Sequence, residues 1–223
     1  MQTRHYWLGL YISASILSVN FVQATTNEWA FDVYLDKNKI GQHSFKLTDN
    51  SQLLSEANFQ VKFLFINAYR YQHTSKEQWK NDCLSGLDAS TKENKILSKV
   101  SGHAANGQFL INSSVNEDKK TQSLPECVMT FAYWNPKILT QTKLLNPQNG
   151  EYLNTNFRLI GDEKIEFNGE QKNAKHYHLL AYDSESMSDK PKLNIHLWYD
   201  SNNDWLALKS ITPEGYTISY KRK

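Results

Sequence analysis

The sequence lacks every glycine-rich phosphate cradle, and neither the Walker nor the dinucleotide-binding fingerprint occurs in its 223 residues. It also lacks a G-x-S-x-G elbow, and no S-x-x-K is set among catalytic partners, so nothing supports a triad hydrolase of those types. A charge excess is missing as well. The chain carries 25 Lys and Arg against 23 Asp and Glu, whereas nucleic-acid binders usually show a basic excess or stripe. The one basic cluster, Lys221-Arg222-Lys223, reads as a frayed and solvated tail. No repeat of fixed period and no low-complexity tract are present, which argues against a propeller or solenoid.

Cysteine is scarce too. Cys83 and Cys127 form an isolated pair, and in an oxidising compartment such a pair is expected to be bonded. A catalytic thiol would want an electropositive setting. Cys83 instead follows Asn81-Asp82 and Cys127 follows Glu126, so a disulfide is the favoured reading.

Residues 1–24 have the pattern of a cleaved export signal. Arg4 supplies a positive start, Leu8 to Phe21 supply an apolar run without Lys, Arg, Asp or Glu, and Val22-Gln23-Ala24 supplies a small-x-small cleavage site. A retained anchor would need about 20 apolar residues, and this run is shorter and broken by Ser13, Ser15, Ser18 and Asn20. Cutting after Ala24 would deliver the protein to the periplasm or the exterior. The other long apolar stretch, Phe59 to Tyr71, contains Lys62 and Arg70, so no transmembrane segment is expected after cleavage. Residues 25–223 then form a single domain, of a length that can bury a substantial core.

Within that domain, strand-length segments with period-two alternation recur from Trp29 to the C-terminus, and almost nothing reads as helix. Trp29, Phe31, Val33 and Leu35 fall on one face. Asp36 to Lys39, Asn106-Gly107, Asn149-Gly150, Asn168-Gly169, Asp200 to Asp204 and Pro213 to Gly215 read as hairpin punctuation. The expected fold is therefore all-β: an antiparallel, strongly curved sheet or open barrel of roughly a dozen strands around a single core. Two polar runs, 116–123 and 183–191, read as solvated loops. A short helical turn fits between Cys127 and Leu145, near the break at Asn135-Pro136.

Candidate chemistry is sparse. His176 and His178 are two apart, so on a strand they share a face with side chains about 7 Å apart. His196 could complete a metal-binding set, but no Cys, Asp or Glu stands at ligand spacing beside them, and no metal or cofactor is expected. Asp32, Asp36, Glu77 and Asp82 could pair as acid and base across strands, although isolated acids on alternating strands usually form a solvated face. The aromatic residues are more suggestive, since they concentrate in Phe59 to Tyr71 and in Phe131 to Trp134. Phe59, Val61, Phe63 and Phe65 would face one way and Leu64 and Ile66 the other. Such two-sided apolarity asks for a covering element, with Phe131 to Trp134 the natural candidate, or for a pocket holding an apolar ligand. Tyr69, Arg70, Tyr71, Tyr133 and Trp134 are the candidate binding residues, with Arg70 placed to hold an acidic headgroup.

Three segments carry a resemblance: VKFLFINAYRYQHTSKEQWKNDCL from Val61 to Leu84, CVMTFAYWNPKILTQTKLLNPQNGEY from Cys127 to Tyr152, and LWYDSNNDWLALKS from Leu197 to Ser210. Together with FDVYLDKNKIGQHSF near the start, they resemble a bacterial family of exported β-rich proteins catalogued only as a domain of unknown function. The resemblance implies the β fold and export, and no activity. The favoured expectation for function is a non-catalytic binding module or carrier for an apolar, lipid-like ligand. The alternatives are an enzyme acting on an envelope lipid, with Tyr or His as acid and base, and a structural partner of an envelope protein complex.

Overall fold

The computed structural model describes residues 26–49, 51–63, 66–183 and 189–223, so the expected signal at 1–24 lies outside the described residues. Among the described residues, one antiparallel sheet holds all fourteen strands. The first eight are β1 (Thr26–Leu35), β2 (Asn38–Thr48), β3 (Gln52–Phe63), β4 (Ile66–Lys80), β5 (Cys83–Glu93), β6 (Ile96–Ala105), β7 (Gln108–Val115) and β8 (Asp118–Pro125). The rest are β9 (Lys143–Leu145), β10 (Tyr152–Phe167), β11 (Glu170–Tyr182), β12 (Leu193–Tyr199), β13 (Trp205–Ile211) and β14 (Thr217–Arg222). A 3-10 helix, Pro136–Thr140, follows the Asn135 cap at the expected break.

The spatial order runs from β8 down to β1, then from β14 down to β9, so the chain's two ends meet in mid-sheet. Val33 pairs with Tyr220 and Phe31 with Arg222. The basic C-terminus is therefore not a frayed tail. Arg222 donates to Asp204 at 2.5 Å, Lys223 meets Asp32 at 3.4 Å, and Lys221 lies over the Tyr34 ring. Strand pairing outweighs the tail reading because the preceding residues, Thr217 to Tyr220, bring a full ladder to both β1 and β13.

The sheet is curved but open, with β8 and β9 at its two edges. The run 116–123, expected as a loop, is instead a turn at Asn116-Glu117 followed by β8. Its polarity reflects its place: an edge strand contributes little to the core, and here Leu124 alone is buried. Lys119, Lys120 and Pro125 on that edge discourage pairing with another chain. Asn106-Gly107 and Asn168-Gly169 have positive φ at both residues, the geometry that two-residue hairpins demand.

Trp29, Phe31 and Val33 are buried together on the inner face, as their spacing predicts. That face is covered by residues 126–151, which run between β8 and β10 as a plug. Val128, Met129, Ile138, Leu144 and Leu145 of the plug are almost wholly buried. A smaller cluster forms on the outer face, where Ile165 and Phe167 of the β10–β11 hairpin pack over Ala174, Trp198 and Leu206.

Candidate functional site

Several ties fix the plug to the sheet. The disulfide joins Cys127 to Cys83 with an S–S distance of 2.00 Å, confirming the expected pairing. The Leu84 amide donates to the Val128 carbonyl at 2.9 Å. Asn135 Nδ2 and Lys137 Nζ donate to the Asp82 carboxylate at 3.1 and 2.5 Å. The Tyr199 hydroxyl donates to the Tyr133 carbonyl at 2.7 Å. With the plug held at one end of the concave face, a cavity of about 650 Å³ remains between it and strands β2–β4 and β12–β14.

Four of the five residues expected near a site line this cavity: Tyr69, Tyr71, Tyr133 and Trp134. Phe59 stacks on Tyr71 at 5.1 Å between ring centroids, across the β3–β4 register. Trp134 packs edge-on to Trp79 at 5.4 Å. The apolar run Phe59 to Ile66 is not one two-faced strand. The chain reverses within it, ending β3 at Phe63 and starting β4 at Ile66, while Leu64 and Phe65 lie outside the described residues. Phe59 and Val61 line the cavity, and Phe131 to Trp134 cover it, so the covering element and the pocket exist together.

Arg70 is the exception. Its side chain is exposed and does not line the cavity, because strand alternation sends it to the face opposite Tyr69 and Tyr71. Its backbone amide donates to Asn94 Oδ1 at 2.9 Å, in the neighbouring turn. It cannot clamp a headgroup inside.

What the aromatic count missed is a polar row on the same wall. On β4, Tyr69, Tyr71, His73, Ser75, Glu77 and Trp79 all point inward while Arg70, Gln72, Thr74, Lys76, Gln78 and Lys80 are exposed. His43 joins the row from β2, its Nε2 at 2.8 Å from the Ser55 hydroxyl and its Nδ1 at 3.1 Å from the Tyr220 hydroxyl. His73 Nδ1 meets Thr91 Oγ1 at 2.9 Å. Glu77 accepts from Ser75 at 3.3 Å, from Trp79 Nε1 at 3.0 Å and from Thr130 of the plug at 3.1 Å.

Burial sets the charge state of this row. It pulls His43 down to about 3, with His73 adding repulsion, and pulls His73 down to about 4, so both imidazoles are neutral near pH 7. It pushes the Glu77 carboxyl up to about 7 against the pull of its three donors. The hydroxyls of Tyr69, Tyr71, Tyr133 and Tyr220 are all raised, chiefly by desolvation, which leaves them protonated.

The remaining candidates do not converge. Asp32 is engaged by Lys39, Asp36 accepts from the Thr217 amide, Asp82 holds the plug, and Glu77 is enclosed apart from them. His176, His178 and His196 do meet on the outer face. His176 Nε2 lies 2.8 Å from His196 Nδ1, and His178 stacks on His196. Among the described residues, however, no group of three His, Cys, Asp or Glu has metal-holding geometry.

Residues 31–223 match the family described as "Domain of unknown function (DUF6134)". The chain belongs to this family. The match spans the whole sheet from the middle of β1 onward, including the plug and both cysteines. No curated protein matches the sequence. Among solved structures, the chain is similar to a beta-barrel-like protein of the domain of unknown function DUF1849 from Brucella abortus. The similarity has a TM-score of 0.64 at 9% identity and covers 88% of this chain and 94% of that one. At that identity the likeness concerns the fold alone, a curved antiparallel sheet that this DUF6134 member leaves open.

Proposed function

We propose that this chain is an exported, non-catalytic binding module that carries an apolar, lipid-like ligand. The observation that carries the reading is the cavity of about 650 Å³ between the tethered plug and the sheet. Small-molecule sites are typically concave and mostly apolar, with volumes of about 300 to 1,000 Å³. A bonded Cys83–Cys127 pair supports an oxidising, extracytoplasmic setting.

His43 between Ser55 and Tyr220 is the arrangement that an acyl-transferring enzyme would use. Ser55 nevertheless stands inside β3, paired on one side with Phe45 and on the other with Ser75. The backbone N–H groups around it belong to the ladder, so none is offered to an oxyanion. Binding is the better account of the same residues.

Protein purified gently from the exported fraction should show a bound species of lipid mass in native mass spectrometry. Arg70→Ala should retain it, because Arg70 lies outside the cavity. Wild-type protein that is empty, and that also fails to take up a neutral apolar dye, would overturn the carrier reading.

A further inference from the structure

Many polar groups of the cavity wall already have partners. Both nitrogens of His43, the hydroxyls of Ser55, Ser75 and Tyr220, and both oxygens of Glu77 have partners within the protein. His73 differs. It is 3% exposed and lines the cavity, and its Nδ1 is taken by Thr91 while its Nε2 has no partner among the described residues. Beside it on the same strand, the Tyr71 hydroxyl also has none, and the two rings stack at 6.3 Å. Among the described residues the fully buried side-chain atoms without a hydrogen-bond partner are Asp32 Oδ1 and Trp134 Nε1, and Trp134 lines this same cavity. A buried polar atom left unpaired costs free energy unless a ligand or water supplies the bond.

The charge of the lining narrows what can supply it. No Lys or Arg lines the cavity among the described residues, whereas Glu77, Glu93 and Glu214 do. A carboxylate or phosphate headgroup would find no cation there and would face these acids, with desolvation unrepaid. An ammonium group fares little better. The Glu77 oxygens already accept three hydrogen bonds, and Glu93 is exposed to water and bonded to Tyr69.

We propose that the cavity selects an uncharged amphiphile, a long apolar chain bearing a hydroxyl or carbonyl group that hydrogen-bonds to His73 Nε2 and the Tyr71 hydroxyl. This rests on the carrier reading and replaces the acidic headgroup expected from Arg70. The apolar walls take the chain, and the His73–Tyr71 pair reads one neutral polar group from inside. Either imidazole tautomer serves, since Nε2 donates to a carbonyl or accepts from a hydroxyl according to how Thr91 is oriented.

The test uses the full exported chain and a neutral apolar dye, N-phenyl-1-naphthylamine, displaced at about pH 8 by dodecanol, dodecanoate and dodecylamine, whose head groups are then neutral, anionic and cationic. Dodecanol should displace the dye at a concentration at least about tenfold lower than either charged analogue, a margin of about 1.4 kcal/mol. His73→Phe keeps an aromatic ring of similar size but removes Nε2. It should weaken dodecanol by about five- to tenfold relative to the dye, the worth of a hydrogen bond in such a site, because the apolar dye makes no hydrogen bond to Nε2. Saturable dye binding by the variant shows that it has folded with its cavity intact, and dodecanol displacement is read against the variant's own dye affinity. Dodecanoate or dodecylamine binding as well as dodecanol would overturn the headgroup assignment while leaving the carrier reading in place. Unaltered dodecanol affinity in His73→Phe would likewise remove His73 from the site. A dye that never enters wild-type protein would remove the carrier reading itself.

Discussion

Cys83→Ala protein should unfold with about 4 kcal/mol less stability than wild type in urea titrations under non-reducing conditions. The bridge spans 44 residues of sequence, and in the chain-entropy model closing a loop of that size restricts the unfolded chain by about 4 kcal/mol. Wild type with added reductant should lose the same amount, which separates the bond's effect from that of the alanine side chain. A functional loss should accompany the thermodynamic one. Cys127 opens the plug, and the plug forms one wall of the cavity through Thr130 to Trp134. Freed at that end, it is still held by Asp82 to Asn135 and Lys137, by Thr130 to Glu77, by Tyr199 to Tyr133 and by the Leu84 amide to Val128. The Asp82 contacts are partly exposed and worth little each, so affinity for a neutral apolar dye should fall along with stability. A reduced protein that keeps its urea midpoint would show that the bridge merely decorates a plug fixed by packing.

Much of this architecture is legible in the sequence for a plain reason. Period-two alternation with buried Trp29, Phe31 and Val33, and Asn-Gly pairs at positive φ, are local features that the chain states residue by residue. The basic end of the C-terminal strand and most of β8 carry polar residues, whose composition in the sequence resembles that of a solvated tail or loop. Both are strands, one pinned between β1 and β13 and the other lying at an edge.

The site was half legible. Tyr69 and Tyr71 stand out through aromatic density, and Glu77 only as one of four scattered acids, whereas polar His73 and Ser75 carry no such signal. The alternation does not stop: those three follow at the same two-residue spacing and face the same interior. Continuing the period rather than the hydrophobicity would have found them, and would have put Arg70 on the other face. No local signal brings Thr130 to Glu77, 53 residues away, or Tyr220 to His43 across 177 residues. Those contacts come from the plug's path and from the meeting of the chain ends.

Stability should fall on mild acidification, by about 3 kcal/mol between pH 6.5 and pH 4.5, as the net of opposing terms of about 1.4 kcal/mol per pH unit each. His43 and His73 are held neutral in the fold by burial, at about 3 and about 4, while the unfolded chain takes up their protons below about 6.5. Each therefore withdraws stability as the pH drops through that window. Glu77 acts in the opposite sense. Its folded value of about 7 lies above its unfolded value, so its burial as a carboxylate is costly at high pH, and stability returns as it protonates between about 7 and 4.5. Two losses against one gain leave one unit of slope. Asp32, Asp82 and Asp200 are lowered below the ordinary carboxylate range by their Lys partners and hydrogen bonds and weigh in only at lower pH. His196 is pulled down to about 4 by burial and its His neighbours, which adds to the loss, but it lies near solvent, where screening reduces its share. Urea midpoints measured across this range should fall for wild type and fall more steeply for Glu77→Gln, by about 5 kcal/mol in all, because the compensating protonation is gone. A wild-type midpoint that climbs on acidification would mean that the histidines are solvated and charged in the fold, and with that the neutral wall at the centre of the binding proposal would be lost.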